Sequence, residues 1–228
     1  AMVVTLEING KVITNTTAGG IAKFYIDAVT YGNKTVVASY AGNDKYLFNS
    51  TTANFTVNKR SSQVNVTVTP TINVGENATV RVKVPANATG YVAVDVNGTV
   101  YTIALNSTGA GSVNITGLGN GTYYVYATYI GDDQYLPSTN VTETFEMIKV
   151  GPVINIAVDN VTYGTDTVIV VTVPGATGNI TIKINDTDKG EFTLVNGKFT
   201  YNAGILGVKN YTVYVSYKGD DKYSTGSA

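Results

Sequence analysis

The chain contains no cysteine, no histidine and no tryptophan, and charged residues make up only 14% of its 228 positions. Without histidine and cysteine it has neither the commonest general base, nor the usual zinc ligands, nor a thiol nucleophile, so Ser-His-Asp and Cys-His chemistry is excluded. Without cysteine no disulfide supports the fold, and stability must come from packing. The net charge of −1 and pI near 5.4 supply no basic surface, which removes the electrostatic drive for binding nucleic acid or an anionic membrane. There is no apolar run of 18 residues and no signal-peptide pattern in these residues. Because the chain opens inside a repeat, with Ala1-Met2, it is expected to be an excised piece of a longer protein. Dinucleotide, Walker and GxSxG motifs are also missing, no pair of carboxylates converges in the sequence, and no cofactor or metal is expected.

What the chain does have is threonine, valine, asparagine, 17 tyrosines and 24 glycines, a composition of strands and turns. It also has a repeat. Tyr40–Tyr46 reads YAGNDKY, Tyr129–Tyr135 reads YIGDDQY and Tyr217–Tyr223 reads YKGDDKY, spaced by 89 and then 88 residues. Other landmarks keep this register: Asn9, Asn97 and Asn185 each follow a β-patterned run, and ATVRVKVP (Ala78–Pro85) matches TVIVVTVP (Thr167–Pro174). A period this long means tandem self-contained modules, not a short-repeat solenoid. The expected fold class is therefore all-β, with tandem Ig-like Greek-key β-sandwich modules.

Three units are expected: 1–59, a partial module lacking its first two strands and retaining the last five; 60–149, a whole module; and 150–228, a module lacking its last strand. In the whole module, β-rich runs separated by turn residues fall near 63–69, 78–84, 90–96, 99–105, 111–116, 122–130 and 138–148. The joints between units carry no Gly/Ser linker, which favours a stiff array. The incomplete end units predict exchange of strands between two copies, a homodimer.

Alternation places Tyr123, Val125, Ala127 and Tyr129 on one face, and Tyr211, Val213, Val215 and Tyr217 on its counterpart, so both faces should be core. Tyr123 and Tyr211 are expected to turn their hydroxyls back to a nearby backbone group at a corner, where the first unit has Lys34. In the recurring phrase, the glycine and the paired Asp/Asn suit a hairpin turn. The competing reading is a calcium loop built from Asp132 with Asp133 and Asp220 with Asp221, although the regular spacing of such a loop is missing. Tyr124 and Tyr126 point outward, with Tyr214 matching Tyr126; they are the candidate ligand contacts, weighed against simple cross-strand packing.

Sixteen of the 23 asparagines lie in Asn-X-Thr/Ser sequons. Either the exterior is N-glycosylated, with loop sites Asn87, Asn106, Asn120 and Asn140 as candidates, or a threonine-rich strand protein with asparagine turns generates the triplets by composition.

The VxVxVNG strand, the GxYxVxAxY strand and the GDDxY phrase followed by Ser and Thr resemble the bacterial-type Ig-like repeats of large surface proteins. The high Asn and Thr content is similar to that of adhesin-like proteins of methanogenic archaea. This resemblance spans essentially the whole chain and implies an extracellular, cell-surface, non-catalytic stalk or adhesin segment, whose partners would be surface glycans or proteins of other cells. It supplies no catalytic residues. The alternatives are a purely structural cell-envelope element and a spacer in a secreted polysaccharide-active enzyme. Glycan or whole-cell binding by the chain separates the first two, and a catalytic domain elsewhere in the gene would mark the third.

Overall fold

The computed structural model describes residues 1–140 and 142–228. Among them there is no helix, and strands account for the regular structure. The N-terminal sheet comprises β1 (Val3–Ile8), β2 (Lys11–Thr16), β3 (Gly32–Tyr40) and β4 (Asn49–Val57), in the order β2-β1-β3-β4. The central unit comes next, with β5 (Asn65–Thr67), β6 (Thr71–Asn73), β7 (Ala78–Lys83), β8 (Tyr91–Val96), β9 (Thr99–Ala104), β10 (Ala110–Ile115), β11 (Gly121–Tyr129), β12 (Ser138–Thr139) and β13 (Glu143–Ile148). The C-terminal unit holds β14 (Asn155–Val158), β15 (Asp166–Thr172), β16 (Asn179–Ile184), β17 (Thr187–Thr193), β18 (Lys198–Ile205), β19 (Val213–Tyr217) and β20 (Gly226–Ser227).

The central unit is a β-sandwich. One sheet runs β10-β7-β5 and the other β6-β13-β11-β8-β9, with β12 also on β11. The C-terminal unit repeats this plan as β14-β15-β18 against β17-β16-β19-β20. Two separate hydrophobic clusters result, one drawn from residues 64–147 and one from 154–223. The alternation read from sequence holds: Val125, Ala127 and Tyr129 are fully buried, as are Val215 and Tyr217, while Arg81 and Lys83 face outward between Val80, Val82 and Val84. The hairpins β1-β2, β8-β9 and β16-β17 turn on Asn9-Gly10, Asn97-Gly98 and Asn185-Asp186, every one of these residues at positive φ. This is the signature of a type I′ connection, whose twist matches that of the strands.

The structure differs from the sequence reading in three places. The run expected as one strand at 138–148 is two, β12 and β13, which pair with different parts of β11. An unanticipated strand, β6, pairs parallel with β13 (Glu146↔Thr71, Ile148↔Asn73). Its three residues lie between Pro70 and Gly75, where turn residues mask so short a strand. Conversely, one of the five strands expected in the first unit does not form: residues 22–26, which align with β10 in the repeat, are irregular. Its counterpart β10 ladders only onto β7, and no counterpart of β7 occurs in residues 1–59 to pair with it. For the same reason the inward face of the N-terminal sheet is poorly covered. Ile8 is its one buried hydrophobic residue among those described, while Phe55, Tyr46, Leu47 and Phe48 are exposed.

The two sheets of the central sandwich close where β10 meets β9, at Gly111. A Cβ there would lie 2.4 Å from Ile103 Cγ2 and 2.6 Å from the Ala104 carbonyl. Gly111→Ala is therefore expected to destabilise the central sandwich by about 1–3 kcal/mol, whereas Gly119→Ala, where a Cβ meets nothing within 4 Å, should stay within about 0.5 kcal/mol. Denaturant unfolding followed by NMR signals of the central core distinguishes the two.

Candidate functional site

The recurring phrase is the most organised polar feature of the molecule, and its residues divide the work. Tyr129 ends β11 inside the core and its hydroxyl donates to the Thr89 carbonyl at 3.2 Å. Gly131 comes next at φ 82; a Cβ there would meet the Tyr135 carbonyl at 2.7 Å, so no other residue fits without strain. Asp132 Oδ1 accepts the Gln134 and Tyr135 amides at 2.7 and 2.8 Å, forming a turn. Its Oδ2 reaches across to the loop before β8, accepting the Thr89 amide at 2.7 Å and the Thr89 hydroxyl at 3.0 Å. Tyr135 closes the phrase, buried, with its hydroxyl donating to Ala86.

The C-terminal copy reproduces the bonds of the aspartate and of the first tyrosine. Asp220 Oδ1 accepts the Lys222 and Tyr223 amides, Asp220 Oδ2 accepts the Thr177 amide and hydroxyl at 2.7 and 3.0 Å, and Tyr217 donates to the Thr177 carbonyl at 2.7 Å. In the N-terminal copy, Asn43 Oδ1 still accepts the Lys45 and Tyr46 amides, but the place of Thr89 has no counterpart in the described chain. The partner threonine was not singled out from sequence, although the signal is there: Ala-Thr-Gly stands at 88–90 and again at 176–178, each threonine 43 residues before its aspartate.

Burial alone would raise the Asp132 carboxyl, but hydrogen bonds from the Thr89, Gln134 and Tyr135 amides and the Thr89 hydroxyl outweigh it and hold the group well below the usual carboxylate range. Asp220 is depressed in the same way: desolvation opposes, and the Thr177 and Tyr223 amides, the Tyr217 hydroxyl and the Lys222 amide prevail. Desolvation, followed by the neighbouring Asp132 carboxylate, pushes the Tyr129 phenol up to about 12, and Tyr217 is raised for the same reasons.

This geometry displaces the calcium reading. Both oxygens of Asp132 and Asp220 are occupied by donors whose hydrogens point at them, whereas a calcium ion needs six to eight oxygens turned inward. Among the described residues no group of three or more acidic, His or Cys side chains is placed to hold a metal. The phrase is a lock between the last hairpin and the loop before β8.

The corner tyrosine is found where expected, with the Tyr123 hydroxyl donating to the Gly119 carbonyl at 3.1 Å. In the C-terminal sandwich the Tyr211 hydroxyl lies over Gly207, the matching position. Lys34 makes the same four-residue reach to Thr30 Oγ1 at 3.0 Å.

Tyr124 and Tyr126 are 57% and 53% exposed on the outer face of β11, beside Thr144 and Asp95 respectively, with Val100 next to Asp95 in the same row. Tyr214 pairs with Lys183, and the neighbouring Ser227 and Ser216 side chains hold its pKa below the usual phenol value. The structure therefore brings Tyr124 and Tyr126 together, while Tyr214 stands apart on another sandwich.

The candidate sequons fall into two groups. Asn87 and Asn106 are exposed in loops, Asn106 with its Oδ1 accepting the Thr108 amide and hydroxyl and the Ala110 amide of its own turn. Asn120 Nδ2 donates to the Met147 carbonyl at 2.8 Å, and half-buried Asn140 accepts the Ala127 amide at 2.6 Å, so both are tied into the sheet.

A further recurrence was not visible in sequence. The residues that enter each sandwich dock on that sandwich's own phrase. Arg60 bridges Tyr135 in parallel and Val150 bridges Tyr223, supported by Arg60 N to Gln134 O and Leu136 N to Arg60 O, and by Val150 N to Lys222 O and Ser224 N to Val150 O. Just before each bridge a lysine ammonium caps the loop, Lys59 on the Asp132 carbonyl and Lys149 on the Asp220 carbonyl. Lys59 Nζ also stands 4.3 Å above the ring of Tyr31, the residue before β3.

No protein-family model matches the chain, and no curated protein matches it. Solved structures give distant likenesses. The fibronectin(III)-like modules of Clostridium thermocellum CbhA align at 15% identity over 72% of this chain and 90% of theirs, with a TM-score of 0.32. A structure bearing on host cell-surface retention of a 1.5-MDa bacterial ice-binding adhesin aligns at 18% identity over 99% of this chain and 82% of its own, with a TM-score of 0.36. Bacteroides ovatus SGBP-B, solved with a mixed-linkage heptasaccharide, aligns at 13% identity over 96% and 54%, with a TM-score of 0.22. Scores this low transfer nothing; the tandem Ig-like sandwich rests on the sheet order and the duplicated lock.

Asp132→Ala is expected to destabilise the central sandwich by about 2 kcal/mol or more, and Asp132→Asn by less, since the amide oxygen keeps the turn bonds as Asn43 does. Because both carboxyls are depressed on folding, their stabilisation is complete above the unfolded value of about pH 4 and is lost as pH falls from there towards the lower folded values. Calorimetric melting between pH 7 and pH 2 should show this loss, with a flatter profile for the central transition in Asp132→Asn.

Proposed function

We propose that the chain is a non-catalytic run of Ig-like repeats from an extracellular, cell-surface adhesin-like protein, serving as a stalk that holds other parts of the protein outward. The observation that carries this reading is the repeated entry strap. At Lys59-Arg60 and again at Lys149-Val150 the connecting backbone is hydrogen-bonded into the next sandwich as soon as it leaves the previous strand, leaving no slack for a hinge. The phrase most suggestive of chemistry is saturated by structural bonds, in keeping with a spacer and not an enzyme. No helix among the described residues is long and apolar enough to cross a membrane.

The units of this reading are those of the sequence: 1–59, 60–149 and 150–228. Asn87 and Asn106 are the glycosylation sites it favours, because both are exposed in loops and the bonds Asn106 makes there run to its Oδ1, leaving Nδ2 for a glycan. Adhesion is assigned to the outer face of β11, where Tyr124 and Tyr126 offer adjacent rings for a surface glycan or a protein of another cell.

The stalk is tested by distance measurements between spin labels at Thr14→Cys and Thr102→Cys. A single narrow distribution is expected, and a Gly-Gly-Ser insertion after Asn58 should broaden it; a broad distribution before insertion would show a flexible joint and refute the stalk. For adhesion, binding of the chain to whole cells or arrayed glycans should fall at least about ten-fold in Tyr124→Ser/Tyr126→Ser. No binding by the unaltered chain would leave a purely structural element.

A further inference from the structure

The charges of the central sandwich are unevenly shared between its two sheets. Between the entry residues Arg60 and Lys149 the chain holds six carboxylates, on Glu76, Asp95, Asp132, Asp133, Glu143 and Glu146, against two cations, Arg81 and Lys83. Asp95, Glu143 and Glu146 belong to the sheet β6-β13-β11-β8-β9, Asp132 and Asp133 to the recurring phrase, and Glu76 to the connection between β6 and β7. The opposite sheet, β10-β7-β5, carries both cations and no carboxylate. Arg81 and Lys83 stand two residues apart on its outer face, their Cα atoms about 7 Å from one another along β7.

The neighbours of this pair are small or uncharged. Lys83 lies between Asn65 of β5 and Ala110 of β10, and Arg81 between Thr67 and Ser112. A hollow of about 420 Å³ opens over the sheet there, lined by both cations together with Asn65, Thr67, Asn106 and Ser112. The Lys83 ammonium donates to the Thr108 carbonyl, which anchors it and leaves two further protons to give. Among the described residues the Arg81 guanidinium has no hydrogen-bond or ion-pair partner. The fold itself does not require the pair. In the C-terminal sandwich the same places on β15 are Val170 and Thr172, and Lys198 takes the place of Ala110 opposite Thr172. The second sandwich is thus built without these cations and with a long side chain where the first has its hollow.

We propose that this hollow binds an anionic sugar unit, one that carries a carboxylate or sulfate group on a polysaccharide. The free Arg81 fork takes two oxygens of such a group, and Lys83 supplies a second charge beside it. The two cations repel one another across a face with no carboxylate to offset them, and an anion seated between them converts that repulsion into attraction. Asn65, Thr67 and Ser112 surround the cations with an amide and hydroxyls, which are partners for sugar hydroxyls. Val82, the one lining side chain that is apolar and larger than alanine, is buried in the core, so an acidic peptide would find no pocket for an apolar anchor. Tyr124 and Tyr126 lie on the other sheet, and the inference is independent both of that face and of the stalk reading.

The test measures binding of the whole chain to polygalacturonate, dextran sulfate and uncharged dextran, with NMR shift mapping. The chain is produced without N-glycosylation, because Asn106 lines the hollow. Saturable binding to at least one anionic polymer is expected, the arm that binds naming the group, with shifts centred on β5, β7 and β10 and no binding to dextran. Arg81→Val/Lys83→Thr, which installs the residues of the C-terminal sandwich, should keep the melting profile and bind at least about ten-fold more weakly. Arg81→Gln is the second variant, with a loss of at least about three-fold. Lys11→Thr/Lys23→Thr removes the same charge far from the hollow and should stay within about two-fold. No binding to either anionic polymer, dextran binding of equal strength, unchanged binding by the Arg81 variants, an equal loss in the Lys11/Lys23 variant, or shifts centred elsewhere would overturn the proposal. So would salt-sensitive self-association through this face, since its occupant would then be the carboxylate-bearing sheet of a second copy.

Discussion

The sandwiches depend on a single carboxylate used four times over. Asp132 gathers two amides of its own turn and the amide and hydroxyl of Thr89, 43 residues away. It thereby fixes the last hairpin against the loop that feeds β8, and the hairpin so fixed presents Gln134 and Leu136 to the entering backbone at Arg60. Charge-assisted bonds of this kind are the stronger class, and the depressed acidity of Asp132 and Asp220 reflects the same donors. In the N-terminal sheet the turn half of this arrangement is present: Asn43 Oδ1 accepts the Lys45 and Tyr46 amides, and Leu47 beside it is 91% exposed.

Much of this was legible in sequence. The period, the inward faces of β11 and β19 and the hairpin asparagines come from alternation and turn chemistry, which are local. What stayed hidden depends on partners far along the chain. Three residues flanked by Pro70 and Gly75 become β6 only because β13 lies alongside, and residues 22–26 stay irregular because no strand lies beside them. The four-donor lock was half legible: the aspartate recurs visibly, but the threonine that completes it sits in the unremarkable triplet Ala-Thr-Gly. The entry straps left no sequence signal beyond the lysine common to both joints.

The abundance of sequons also gains a physical account. Thr35 with Asn54, Thr56 with Asn33, Thr79 with Asn114 and Thr193 with Asn179 are cross-strand hydrogen-bonded pairs at 2.8–2.9 Å. Asn97 and Asn185 bond the amides of Tyr124 and Thr212 while shaping their hairpins. A sheet face stitched by Asn–Thr pairs places the two residue types near one another in sequence as well as in space. Many triplets that read as glycan acceptors are thus already used by the fold, and exposed loop positions such as Asn87 stand out against them.

The parallel pairing of β6 with β13 has a mechanical meaning. β6 lies near the point where the chain enters the central sandwich and β13 near the point where it leaves. Tension along the chain would draw these two parallel strands in opposite directions along their common axis. Their bonds, and those of the parallel bridge between Arg60 and Tyr135, would then be loaded together in shear instead of being peeled open one after another.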